Sequence, residues 1–367
     1  MAVISKKKLI LQEGDTYFQK SKLNNGKEIG LRFATPKDAV NISSLFKESY
    51  NYEYPYPFVY DIDLLKNDIS KLNRFWILSD LLENEVTVGC ALVEKERYIA
   101  HAGRLIVKKS FQKQGITTKM AAAGLITVTK MPQFKEVLRL NIEVRAPLTK
   151  VQTSAQNAGA IPYSIIPSHF SLEDNRHLDV NDNNPCPSQK EKSSILYSMI
   201  FRNLWKNREK NVFLLDNEDL VFIYEYIRSQ ARKMKDDILI PKRENKNKGY
   251  ELYAVSKDYH IAIVQLFGYI KEKSITNLLK TYRNWRIILW KVPTTENGVA
   301  SMSLALKKGF KVVGYDIGFA NIEKTLFDSI IFAYYPNGNC NLSDINCSKA
   351  IKPLFNKVKE QFFSRIN

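Results

Sequence analysis

Four cysteines and four histidines in 367 residues leave little material for metal or disulfide chemistry. Cys90, Cys186, Cys340 and Cys347 form no Cys-x-x-Cys pair, which argues against a zinc site and against a disulfide framework, so no metal is expected. Cys90 lies in an apolar, strand-like run and is expected in the core. The other three stand in polar stretches without a neighbouring base, a poor setting for a nucleophile. Also missing is any apolar run approaching the ~20 residues that a membrane helix needs. The opening Met1-Ala-Val-Ile-Ser-Lys-Lys-Lys-Leu-Ile-Leu11 puts its basic cluster ahead of only three apolar residues. Neither a signal peptide nor a membrane span is expected, and the location is read as cytoplasmic.

Negative charge is the other shortage. Against 55 Lys and Arg stand 38 Asp and Glu, a net charge of +17. Such an excess calls for an acidic partner: nucleic acid, a membrane surface, or a phosphorylated cofactor and its acidic carrier protein. The basic residues are spread along the whole chain, which speaks against a dedicated DNA-reading arm and leaves RNA open. With 44% apolar and 25% charged residues the composition is that of a globular protein, and the length suggests about two domains.

What is there centres on one stretch. Gly103 to Val107 reads as a strand, a turn containing Gly115 follows, and a helix continues through Met120. A strand, a glycine turn and a helix start aim unpaired backbone N–H groups at one spot, where the helix dipole favours an anion such as phosphate. Lys108, Lys109, Lys113 and Lys119 surround it. The plainer reading is an ordinary strand-to-helix connection on a basic surface.

Residues 1–27 read as a basic arm or short extra strand. Thr35-Pro36 supplies an N-cap with proline at the first helical position. Tyr50 to Tyr60 holds six aromatics and two prolines, and is expected to be an ordered loop. It either packs onto the core or lines a substrate groove. Over residues 28–205 the expected order is β-α-α-β-β-β-α-β-α-β-β, with a long polar loop at Glu173 to Lys192. Residues 206–367 read as a weaker copy: a helix, a strand at Tyr250 to Val255, a strand at Tyr259 to Phe267, and a helix-glycine-strand-strand run at 299–335 that mirrors 149–201. A helix at 351–363, with Ile351, Leu354, Phe355, Val358, Phe362 and Phe363 on one face, is expected to pack on that copy.

Gln112-Lys-Gln-Gly115-Ile-Thr117 resembles the Gln/Arg-x-x-Gly-x-Gly/Ala pyrophosphate loop of the GNAT superfamily of acyl-CoA-dependent N-acyltransferases, and Leu105-Ile-Val107 resembles the strand before it. The family's last small residue is Thr117 here. The order of elements and the opening around Arg32 to Asp38 resemble that family too. The resemblance implies an α/β (α+β) fold of two GNAT-like domains, each a mixed, mostly antiparallel sheet flanked by helices. Residues 28–205 would be the catalytic copy and 206–367 a degenerate one that lacks the Gln-x-x-Gly loop. It implies acyl-CoA, acetyl or longer, or an acyl carrier protein thioester. Leu105, Ile106, Val107, Gln112, Lys113, Gln114, Gly115, Ile116, Thr117 and Thr118 would hold that donor, and Tyr54, Tyr56, Phe58 and Tyr60 the acceptor. Deprotonating the acceptor amine needs a titratable group near the splayed strands: His101 or Glu143, each open to a structural reading, Glu143 as partner of Arg139 or Arg145. The family's Asn and Tyr are replaced by Leu148 and Ala155, leaving Ser154, Tyr163 or water to protonate the leaving thiolate. The implied activity is acyl transfer to an amine of a peptide or metabolite. The alternative is a catalytically inactive tandem binding protein for RNA or an anionic ligand.

Overall fold

Phe75-Trp-Ile-Leu78 is a continuous run of large apolar residues, and all four are buried, as befits a strand covered on both faces. In the computed structural model, which describes residues 16–178, 180–182, 185, 190–231, 234, 236–241, 251–338 and 340–363, this run sits in the middle of the first sheet. Residues 1–15 of the expected arm, Cys186 and the whole charged stretch 242–249 lie outside the described residues.

The chain forms two compact units, Met1–Ile142 with Glu173–Arg176, and Glu143–Leu172 with His177–Asn367. The first contains β1 (Gln19–Lys22), β2 (Glu28–Phe33), α1 (Ala39–Tyr50), α2 (Ile62–Ser70), β3 (Arg74–Leu81), β4 (Thr87–Glu96), β5 (Ile99–Val107), α3 (Ile116–Lys130) and the start of β6 (Arg139–Arg145). From β1 to β5 each strand pairs antiparallel with the next, while β5 and β6 run parallel. The start of α1 follows its sequence signals. Thr35 and Asp38 form a capping box around Pro36, and Arg32 holds Asp38 bidentately at 2.8 and 2.9 Å. Below the sheet, Phe46, Trp76, Leu78, Leu92 and Cys90 form one buried cluster, so Cys90 is a core residue.

The second unit contains the end of β6, then α4 (Thr149–Asn157), β7 (Ile161–Ser171), β8 (Glu191–Ile200), α5 (Arg202–Asn207), β9 (Asn211–Phe213), α6 (Glu218–Gln230), β10 (Asp237–Leu239), β11 (Leu252–Asp258), β12 (Ile263–Tyr269), α7 (Glu272–Thr281), β13 (Ile287–Pro293), α8 (Glu296–Lys307), β14 (Lys311–Ile322), β15 (Thr325–Tyr334) and α9 (Lys352–Phe363). Its strands lie in the order β8-β7-β14-β15-β13-β12-β11, antiparallel except for β12 beside β13. Element for element, α4-Gly159-β7-β8 and α8-Gly309-β14-β15 repeat each other. The division between units falls inside β6, and within the second unit β7 is tied to β14: Ser164 Oγ donates to Val313 O at 2.9 Å. At Gly314 any Cβ would stand 2.4 Å from Tyr163 O, so only glycine allows that approach. Two strand expectations shift. The run at 259–267 is broken by a turn with Ala262 at φ +51°, so β12 starts only at Ile263, and β11 begins at Leu252. On α9, Leu354 and Val358 are buried as expected, whereas Phe363 is half exposed.

One buried ion cluster locks this second unit. Arg208 (side chain 3% exposed) reaches Asp236 at 2.6 and 2.7 Å and Asp328 at 2.6 Å; Asp328 also accepts from Gly318 N at 2.7 Å. Removing the guanidinium strands two carboxylates that have no exposure of their own. Arg208→Ala is therefore expected to cost ~3–5 kcal/mol in a urea titration. A loss within the noise of a surface substitution would contradict this reading of the cluster.

Candidate functional site

The turn expected to precede the central helix is there. A short 3-10 turn (Lys109–Phe111) leaves β5, and α3 begins behind Gly115 at φ +84° and ψ +2°. Lys113 is also left-handed, at φ +63°. Alternating left-handed residues before a helix curl the backbone into a concave run of N–H groups suited to an anion. No side chain caps this helix, and the Lys119 N to Gly115 O bond, 3.2 Å, closes its first turn. The amides of Ile116, Thr117 and Thr118 thus stand at the uncapped end. Thr117 and Thr118 are exposed while Ile116 is buried, anchoring the turn to the core. The space above is open: a Cβ on Gly115 would come no nearer than 3.8 Å to Asn24 Oδ1 and 4.0 Å to Lys119 Cε. Gln112 turns back instead, its Nε2 donating to Val107 O at 3.3 Å, and Asn24 Nδ2 braces Lys113 O at 3.3 Å. Gln114 is half-buried behind them.

Ahead of this turn the sheet opens. β5 and β6 pair only from Ile99↔Arg139 to Ala102↔Ile142. From Gly103 to Val107, β5 is held by β4 alone, leaving its other edge unpaired by β6. Opposite Ala91 the strand carries one extra residue, and Arg104 takes it up at φ +52°. A bulge of this kind re-aims side chains and ends pairing. Leu105 is half-buried, Ile106 and Val107 buried.

The aromatic loop packs onto the core. Tyr54 packs edge-on against Phe46 (4.7 Å between centroids), and Tyr54, Phe58 and Tyr60 lean on the core cluster. Tyr54 N donates to the Tyr60 hydroxyl at 3.1 Å; burial pushes that hydroxyl up to about 12. The Arg104 Cζ lies 5.2 and 5.5 Å from the ring centres of Tyr56 and Phe58.

Of the two base candidates, His101 lies on the paired part of β5, side chain 44% exposed, its Nε2 3.6 Å from Glu96 Oε2. Glu143, the residue after the last β6 rung, belongs to the second unit and has partners the sequence did not suggest. Its Oε1 accepts from Ser194 Oγ at 2.6 Å and lies 3.1 Å from His169 Nδ1. Arg139 instead donates to Asn141 at 2.9 Å. About half of the Glu143 side chain (48%) stays open to solvent, but protein crowds the carboxyl. That crowding raises its pKa; the charge of His169, the hydrogen bonds from His169 and Ser194 and the charge of Arg145 outweigh it and hold the carboxyl down to about 2.

His169 owes its position to a second bulge. Between Ile166↔Ser194 and Phe170↔Lys192 strand β7 carries extra residues, with Ser168 at φ +51°. Asn341 N donates to Ser168 Oγ at 2.7 Å, and Ser193 Oγ to Asp344 Oδ1 at 2.7 Å, clamping the distortion. A carboxylate on Nδ1 fixes the tautomer with that nitrogen protonated, and Nε2 has no hydrogen-bond partner among the described residues. Cys340 and Cys347 are both pushed up to about 12 by burial, Cys340 also by Glu191, so neither is an activated thiol.

The corresponding corner of the second unit is closed. β12 and β13 stay paired from Ile263↔Ile287 to Phe267↔Lys291, and Trp290 Nε1 donates to Gly268 O at 3.0 Å. At the start of α7, Lys271 N and Ser274 Oγ donate to the two oxygens of Glu251, each at 3.0 Å. An internal carboxylate thus sits where an anion would otherwise approach.

Among the described residues no helix is long and apolar enough to cross a membrane. No protein-family model matches the chain, and no curated protein does. Solved structures do. The ribosomal-protein-S5-alanine acetyltransferase from Vibrio fischeri is 12% identical over 48% of this chain and 94% of its own, with a TM-score of 0.38. The spermidine/spermine N-acetyltransferase SpeG from Vibrio cholerae is 13% identical over 48% and 94%, with a TM-score of 0.36. NAA60 from Arabidopsis thaliana is 11% identical over 47% and 98%, again with a TM-score of 0.36. Each of these likenesses covers about half of this chain and nearly all of the other.

Proposed function

We propose that this chain is an acyl-CoA-dependent N-acyltransferase whose donor binds the first unit. The observation that carries the proposal is the uncapped start of α3 behind left-handed Gly115, directly after a strand edge left unpaired from Gly103 to Val107. The residues present suit a diphosphate: exposed amides at Thr117 and Thr118, open space over Gly115, and Lys109 and Lys113 exposed beside it. When bound, the donor supplies an acyl group activated as a thioester. The open edge of β5 has backbone donors to polarise a carbonyl oxygen. An acceptor ammonium must lose a proton before its nitrogen attacks, and His101 and Glu143 are the titratable groups proposed for that task. The donor is acetyl-CoA or a longer acyl-CoA, or the thioester of an acidic acyl carrier protein drawn by the basic surface. The acceptor is an amine of a small molecule or peptide facing Tyr54, Tyr56, Phe58 and Tyr60. Residues 206–367 act as a degenerate second copy.

Calorimetric titration of the full chain with acetyl-CoA, at low and high salt, tests this. Saturable one-to-one binding that outlasts added salt supports the enzyme reading. No saturable binding, together with RNA affinity that falls steeply with salt, would replace it by the inactive binding protein.

A further inference from the structure

Arg104 stands apart from the other arginines of the first unit that are withdrawn from solvent. Arg32 is held by Asp38 and Asp80, Arg74 by Asp68 and Glu94, and Arg139 by Asn141. The Arg104 side chain makes no hydrogen bond or ion pair with any described residue, and its Nε is sealed from water without an acceptor. The carboxylates whose charge it feels, Glu94 and Asp68, are both engaged by Arg74. An arginine is rarely withdrawn from water unless paired, because its charge and five donors need acceptors. This one lies over the rings of Tyr56 and Phe58, its Cζ 5.2 and 5.5 Å from their centres, and is placed by the β5 bulge two residues past the last β6 rung. The strained φ of +52° fixes its position at the mouth of the open edge.

The geometry points to a carboxylate-binding site: Arg104, walled by Tyr56 and Phe58, receives the carboxylate of an acidic acceptor, so that the amines acylated here are amino acids or similar compounds carrying a free carboxylate. This rests on the acyltransferase reading above and deepens it. A planar guanidinium beside two rings offers its remaining N–H groups as a fork, which a carboxylate matches with two parallel hydrogen bonds. Neutral amines and polyamines would leave the charge unanswered and be disfavoured.

The test uses the full chain and two readouts. Binding is measured by calorimetry for N-acetylglycine, N-acetylglutamate and their amides, and separately for acetyl-CoA; transfer rates are measured for amino acids against their amides. The wild type is expected to favour the carboxylates by about 10- to 100-fold, the worth of one or two charge-assisted hydrogen bonds. Arg104→Gln should erase that preference and Arg104→Lys keep only part of it, with acetyl-CoA affinity unchanged in both. No preference in the wild type, or one that survives Arg104→Gln, overturns the inference. Weakened acetyl-CoA binding in Arg104→Gln would overturn it too, by assigning the guanidinium to the donor, as would a preference shown only for succinyl-CoA over acetyl-CoA. Failure of the acyltransferase reading itself looks different: acetyl-CoA would not bind the wild type at all.

Discussion

Gly115→Val is expected to weaken acyl-CoA binding about 100-fold while leaving the protein folded. Glycine holds φ +84° here at no steric cost, and a β-branched residue does not. Keeping valine in that conformation costs ~1–2 kcal/mol. The added side chain itself meets nothing, since Asn24 and Lys119 stay at 3.8 Å and beyond. Relief therefore comes from rotating the backbone, which swings the first amides of α3 away from their common focus. Losing two charge-assisted hydrogen bonds at ~1.5 kcal/mol each weakens binding by about 100-fold. Calorimetry of the variant against acetyl-CoA reads the loss, and an unchanged circular dichroism spectrum shows that the fold survives. Wild-type affinity in a folded Gly115→Val would remove the turn from the account.

The second large effect concerns the pair of Glu143 and His169. Against the crowding that raises it, the charge of His169 and the hydrogen bonds from His169 and Ser194 hold the Glu143 carboxyl down to about 2. His169→Ala removes the charge and one of those bonds, and is expected to raise the pH at which Glu143 titrates toward the ordinary carboxylate range. Because the folded value is depressed, the stability this adds is present above the unfolded value and is lost as pH falls through about 2. The variant should therefore be less stable than the wild type at neutral pH and lose less on acidification. His101→Ala, at an exposed site beside Glu96, should leave the Glu143 titration where it is. NMR titration of the Glu143 side chain reads the shift; an unmoved value in His169→Ala would contradict this account of the pair.

Local chemistry made the central stretch legible. A strand, a glycine turn and a helix start are specified by neighbours in sequence, so β5, the turn and α3 lie where Gly103 to Met120 implied. The same holds for the Thr35-Pro36 cap and for the two helix-glycine-strand-strand runs. Long-range features were not legible. His169 and Ser194 reach Glu143 from 26 and 51 residues away, and only because a bulge at Ser168 turns the strand. A histidine in Pro167-Ser-His169 carries no local sign of that, although a polar triplet inside an apolar run was a hint of irregularity. The tie of β7 to β14 depends on Gly314 meeting Ser164, a contact between residues 150 apart. Arg104 reads as one more basic residue until its side chain is seen to have no ion-pair partner among the described residues.

The central claim is that the amides at the start of α3 hold the donor's diphosphate. Amide hydrogen exchange, with and without acetyl-CoA, measures those groups directly. The account predicts slowed exchange on binding across residues 112–119, with the start of α7 unaffected. Unchanged exchange at 112–119, or protection confined to residues 270–275, would contradict it.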